Sequence, residues 1–304
     1  MNIVLFGSTD LTLSVAEFLY TNSYQIAAVV TVTQTFKISY KPEGVHNTRF
    51  VDLNHWASEK NIPVINYVSA DSAIDALKNF QTEESFAIVV GWYHMVPKKL
   101  RDIFPIGCSG FHASLLPKLR GGAPLNWALL LGHQEAGVSF FELSDGVDDG
   151  LLYDQMSFSI EKDDVIGTLV KKSEDAILQM LQRSLLKIQD GAIRKYEQQG
   201  VLSYCGQRSP EDSHINWKDD AEVILRLIKA SSKPYAGAYS FLGRDKIIIW
   251  EAELADIELY GVPGQIMIIE SKLYIVCKDS ALLLKKFEAE ELLMKANHKR
   301  MISA

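Results

Sequence analysis

Of 304 residues only three are cysteine, Cys108, Cys205 and Cys277, and no two stand at a CxxC spacing. An odd, scattered set builds neither a disulfide framework nor a zinc site. No stretch reaches the roughly 18 consecutive apolar residues that a membrane helix needs. The opening Met1-Asn2-Ile3-Val4-Leu5-Phe6-Gly7 has no basic segment and too short an apolar run for a secretory signal. Positive charge is not in surplus either. There are 31 Lys and Arg against 38 Asp and Glu, a net −7, which argues against gripping nucleic acid by bulk electrostatics. These absences point to a soluble cytoplasmic protein with no membrane partner.

What is present is globular in composition, with 47% apolar and 23% charged residues, enough for packed cores. At roughly 150 residues per domain the length fits two domains. Short apolar runs at 3–6, 26–31, 63–65 and 86–90 alternate with amphipathic stretches at 11–20, 50–60 and 72–80. Brief β-branched runs without alternation are strands buried on both faces of a parallel sheet. A proline-led helix is expected at 97–104, a fifth strand at 108–112 and a helix at 123–131. Period-two alternation at 138–143 and 152–160 predicts an antiparallel hairpin at the sheet edge, and 164–190 is the longest helical pattern. Residues 198–209 are polar and read as a linker. One amphipathic helix at 219–231 follows, then five short β-rich runs between 238 and 287, the pattern of a small OB-like barrel. The expected fold is thus α/β, a Rossmann-like, open and mostly parallel sheet over residues 1–200, with a C-terminal OB-like β-barrel domain over 206–304.

Two places concentrate chemistry. Gly7-Ser8-Thr9-Asp10 joins the first strand to a helix, where free backbone N–H groups and the helix dipole attract anions. The GxGxxG fingerprint is missing, and a helix cap at Thr9 or Asp10 explains the same residues. The denser place is 107–122, where a strand breaks into a loop carrying His112, Ser114, Lys118 and Arg120. A histidine at the carboxyl end of a strand titrates near neutral pH, and an arginine among glycines is suited to an anion. Asp145-Gly146-Val147-Asp148-Asp149-Gly150 is either an ordinary acidic turn or the source of a carboxylate, Asp148, that orients His112.

The run from Phe111-His112 through Ser114-Leu115-Leu116-Pro117-Lys118-Leu119-Arg120-Gly121-Gly122 to Trp127, with Val147-Asp148-Asp149-Gly150, resembles the 10-formyltetrahydrofolate-dependent formyltransferases. The opening residues 3–10, Arg208-Ser209-Pro210-Glu211-Asp212, Ile215-Asn216-Trp217 and Lys233-Pro234-Tyr235-Ala236-Gly237-Ala238 fit the same pattern. The resemblance implies transfer of a formyl group from 10-formyltetrahydrofolate to an amine, with His112 and Asp148 as catalytic groups and no metal. It also implies a catalytic asparagine where this chain has Gly110. Losing one donor to an oxyanion costs about 10²–10³ in rate, and Asn126 is one candidate to replace it. By the same resemblance Tyr93, His94, Val96, Asp145 and Val147 line the folate, with Trp92 and Met95 read equally well as packing.

The acceptor remains divided between two classes. Relatives acting on methionyl-tRNA are expected to carry a basic insertion after the second strand. Here residues 33–55 hold Lys37, Lys41 and Arg49 against Glu43 and Asp52, and residues 206–304 hold 14 cations against 15 acids. That balance favours a nucleotide-linked amino sugar, held by Ser8, Thr9, Asp10, Ser114, Lys118 and Arg120. Methionyl-tRNA formyltransferase is the alternative, and Gly110 leaves open a silent folate- or nucleotide-binding homologue. A homodimer through the tail strands is a further expectation.

Overall fold

A computed structural model describes residues 1–38 and 41–304; the side chain of Lys41 also lies outside the described part. The chain divides into two compact units. The first comprises Met1–Gly121, Gly137–Phe158 and Lys172–Tyr204, and the second Gly122–Ala136, Ser159–Lys171 and Cys205–Ala304.

The first unit is built on a seven-stranded sheet. Its strands are β1 (Asn2–Phe6), β2 (Gln25–Thr31), β3 (Val64–Asn66), β4 (Ser85–Val89), β5 (Gly107–His112), β6 (Glu135–Glu142) and β7 (Leu152–Ser159), in the order β7-β6-β5-β4-β1-β2-β3. β1 pairs in parallel with β2 and β4, as do β2 with β3 and β4 with β5, while β6 runs antiparallel to β5. Successive side chains of one strand enter opposite cores, which is why the strands read as unbroken apolar runs. Ile3 and Leu5 pack in one cluster with Phe86, Ile88 and helix residues Met180 and Leu181, whereas Val4 and Phe6 join Ala87, Val89 and Leu100 in the other. Burying each of the larger of these side chains contributes about 1.5–3 kcal/mol, so the sheet fixes its strand ends firmly. Strand order reverses between β1 and β4, and the crevice outside their carboxyl ends is where such sheets bind ligands.

Two local features were not legible in sequence. Thr35–Ile38 pairs antiparallel with Lys41–His46, a ladder hidden because Pro42 and Gly44 interrupt its alternation. The segment expected as a linker is drawn onto the 113–121 loop: Arg120 N–H donates to the Ser203 carbonyl at 2.9 Å and Leu119 N–H to Ser203 Oγ at 2.9 Å.

The second unit carries five antiparallel strands: β8 (Ala238–Leu242), β9 (Asp245–Leu254), β10 (Ile266–Ile269), β11 (Lys272–Val276) and β12 (Ala281–Phe287), in the order β8-β9-β12-β11-β10. The chain end spans both edges of this sheet. Ile302 N–H reaches the Phe241 carbonyl at 2.8 Å, and Ile266 N–H reaches the Lys299 carbonyl at 2.9 Å. Helix Ala221–Ser231 turns Ile224 and Ile228 into the core around Trp217, whose indole N–H donates to Ser240 Oγ at 3.0 Å.

Candidate active site

The parallel strands place the site at their carboxyl ends. β5 is held by Ser109, whose hydroxyl donates to the Ala87 carbonyl at 2.8 Å, and it ends on His112 opposite Ser139. Ser139 Oγ donates to the Ser114 carbonyl at 2.7 Å and accepts from Leu116 N–H at 3.0 Å and Gln155 Nε2 at 2.8 Å, so the loop after His112 is anchored at its start.

His112 is 8% exposed. Its Nε2 stands 2.7 Å from the Leu119 carbonyl, which only accepts, so the partner assigns a hydrogen to Nε2. Nδ1 faces Asp148 Oδ2 at 3.5 Å. That gap is longer than a good hydrogen bond, so neither group is spent on the other. Asp148 is held on three sides. Its Oδ2 accepts from Gly121 N–H at 2.8 Å, its carbonyl accepts from Gln198 Nε2 at 2.8 Å, and its backbone sits in the left-handed region at φ 50°. An aspartate tolerates that conformation better than most residues. The loop around it is stiffened by Asp149, whose carboxylate takes the Ser144 hydroxyl; a Cβ at Gly146 would collide with the same carboxylate.

Gly110 lies on β5 between Val89 and Phe141. A Cβ there would come within 2.9 Å of Leu143 Cδ2 and 3.6 Å of the Val89 carbonyl. Leu143 therefore fills the space into which a side chain at 110 would start. Asn126 is no ready substitute, because its amide N–H is committed to the Ala230 carbonyl at 2.7 Å within the second unit.

The wall formed by residues 91–97 is aromatic. Trp92 packs edge-on to Phe6 and Tyr67, with centroids 5.6 and 5.2 Å apart, and His94 lies against Tyr67 and Phe36 at 5.1 and 5.3 Å. Burial pushes the His94 imidazole below its ordinary value, favouring the neutral ring. Its Nε2 and the Trp92 Nε1 are both shielded from solvent without a hydrogen-bond partner. Tyr93 donates its hydroxyl to Asn47 Oδ1 at 3.0 Å and packs on Phe36. Val96 is buried, Val147 is half exposed and Met95 points largely to solvent.

The expected anion-holding residues are distributed differently. Thr9 is the N-cap of helix Asp10–Thr21, its Oγ1 accepting from Thr12 N–H at 3.3 Å. Ser8 is buried, and Asp10 pairs with Arg49 at 2.6 Å. Ser114 donates to the Lys118 carbonyl at 2.5 Å and Arg120 donates to Gln198 Oε1 at 3.1 and 2.6 Å, while Lys118 is exposed. Sequence reasoning missed three organisers. Asn47, almost wholly buried, ties the Ser8 carbonyl to Tyr93. Gln198 joins Arg120 to the backbone of Asp148 and Gly150. Arg101 binds the Val96 carbonyl and the Asp145 carboxylate. Composition gave no signal for any of them, because each works through long-range contacts. Among the described residues, no group of three or more His, Cys, Asp and Glu side chains is placed to hold a metal, and no helix is long and apolar enough to cross a membrane.

The chain is 29% identical over 299 residues to a methionyl-tRNA formyltransferase of Caldanaerobacter subterraneus subsp. tengcongensis, covering 95% of this chain and 93% of that one. Its fold is similar to an N-formyltransferase from Helicobacter canadensis, solved with folinic acid and dTDP-3-aminofucose, at TM-score 0.68 and 18% identity over 93% and 98% of the two chains. It is also similar to HypX from Aquifex aeolicus in complex with tetrahydrofolic acid, at TM-score 0.64 and 16% identity, covering 94% of this chain but 43% of that longer one. Residues 1–185 match the formyl transferase family model and residues 208–297 match the formyl transferase C-terminal domain. With most of its length matched, the chain belongs to the formyl transferase family.

Proposed function

We propose that this formyltransferase moves the formyl group of 10-formyltetrahydrofolate onto the amino group of a nucleotide-linked amino sugar, using His112 and Asp148. The amine nitrogen attacks the formyl carbon, a tetrahedral intermediate forms, and the bond to the folate nitrogen then breaks. Asp148 takes the proton shed by the amine, directly or through one water, and protonated His112 donates to the oxyanion and then to the leaving nitrogen. The 3.5 Å gap between His112 Nδ1 and Asp148 Oδ2 keeps the two side chains adjacent without a direct hydrogen bond between them. Residues 92–97 and 145–147 form the donor walls, and Ser8, Ser114, Lys118 and Arg120 lie on the loops that face the acceptor.

The observation that carries the choice of acceptor is the Arg49–Asp10 ion pair. In the segment where a phosphate-backbone contact would need surplus cations, one of the three is already matched by a carboxylate. A net +1 in that segment offers little to a polyanion. The Helicobacter canadensis protein, solved with a dTDP-linked aminosugar, supports the same reading. The 29% identity to a methionyl-tRNA formyltransferase favours the second reading, methionyl-tRNA as acceptor.

A thermal-shift panel separates them. 5-Formyltetrahydrofolate, then TDP, UDP and GDP, are added singly and paired with the folate; a ligand of the native state raises the midpoint by mass action. Shifts with folate and one nucleotide are expected. A shift with folate alone, together with salt-sensitive binding of methionyl-tRNA, would move the assignment to the second reading. No shift with folate would overturn both. Binding of folate and nucleotide without turnover would leave a silent binder, the possibility raised by Gly110.

A further inference from the structure

Arg101 ends the short helix Lys98–Arg101, which follows directly on residues 91–97. Its Nη1 donates to the Val96 carbonyl at 2.8 Å and its Nη2 to the Asp145 carboxylate. The two acceptors belong to different loops, one after β4 and one after β6. The Arg101 side chain is 11% exposed and that of Asp145 is 76% exposed, so the cation is the partner that has given up water. A guanidinium in that position depends on both acceptors for its missing hydration. A planar fork serves two acceptors at once, which a single ammonium on a flexible stem does not. On the Asp145 side the loop is stiffened by the Ser144–Asp149 contact and the close packing at Gly146, and it continues into Asp148.

We infer that Arg101 is a positioning residue for the formyl donor: it clamps the 92–97 wall to the 145–148 wall and so sets the width of the cleft that takes the pterin end of the folate. This rests on the assignment of those two loops as donor walls. Arg101 acts through Val96 and Asp145 and touches no reacting atom.

The test uses full-length protein with 5-formyltetrahydrofolate as titrant and steady-state kinetics beside it. Arg101→Met is expected to weaken 5-formyltetrahydrofolate binding and raise the donor KM by about tenfold, with kcat and the acceptor KM within about threefold of wild type. Arg101→Lys, which keeps the charge but not the fork, is expected to fall between the two. A merely structural role would lower the folded fraction, reducing apparent kcat without moving the donor KM. That result, or unchanged folate affinity in both variants, would overturn the inference. If Arg101→Met does not fold, Arg101→Lys decides on the same criterion. Failure of wild-type protein to bind 5-formyltetrahydrofolate would instead defeat the donor-wall assignment beneath it.

Discussion

The two units differ in where they keep their polar groups. In the second, the buried positions are almost wholly apolar, and polar ties such as Trp217 to Ser240 serve packing. In the first, the sheet is mostly apolar, while its carboxyl edge gathers His112, Asp148, His94, Arg101 and Asn47 among side-chain and backbone contacts. Both depend on a rigid core, and in the first that core fixes the strand ends from which the site's loops leave. On those loops His112 and Asp148 stand 3.5 Å apart, and Asp148 takes a left-handed backbone. Rigid strands with chemistry on the adjoining loops are the general arrangement for such sheets.

The sharpest way to break that contrast is His112→Ala. It should lower formyl transfer by about 10²–10⁴-fold while leaving the melting midpoint within a few degrees of wild type, read by a folate absorbance assay and a thermal scan. Wild-type-like turnover would remove the loop web from the chemistry. In the second unit the reverse pattern is expected. Trp217→Ala empties the centre of the core and should cost about 3–5 kcal/mol by denaturant titration, with any loss of activity following the loss of folded protein. Retained stability would show that this core is less integral than its packing indicates.

Gly110 supplies a smaller and more specific test. Gly110→Asn alone meets Leu143 and should give no gain in rate. Combined with Leu143→Ala, which opens the space, the added amide should raise kcat by up to about a hundredfold, the low end of what a single oxyanion donor supplies. A collapse in the double variant, with folding intact, would mean that the site is organised around glycine.

The smallest expected effect comes from His94. Burial holds its pKa in the folded state below the ordinary imidazole value, so the unfolded chain binds the extra proton first as pH falls. Stability is therefore unaffected above about pH 7.5 and declines as the pH drops through 6.5 and below. His94→Gln should flatten that slope in pH-dependent melting. An unchanged slope would place the pH sensitivity elsewhere.

Much of this was readable from sequence because hydrophobic period is a local signal. The parallel strands, the edge hairpin and the five antiparallel strands of the second unit announce themselves in short runs. Family resemblance marked His112 and Asp148, and the fold brings them together across 36 positions of chain. What stayed hidden depends on distance and on missing atoms. Arg101 looks like one more surface cation beside Lys98 and Lys99, and Gln198 looks like linker, because their partners lie 44 and 78 residues away. Thr9 had two readings, and its hydrogen bond to Thr12 assigns it to the helix cap. The departure at Gly110 was visible as a residue type, but Leu143 standing in its place was not.

The most direct measurement of the central claim is a side-by-side transfer assay with wild-type protein and 10-formyltetrahydrofolate. A dTDP-linked 3-amino sugar and methionyl-tRNA serve as alternative acceptors, with product mass recorded at low and moderate salt. A gain of one formyl group on the sugar amine is expected, absent with His112→Ala, with no formylation of the charged tRNA. Formylated methionyl-tRNA with an unmodified sugar nucleotide would contradict it.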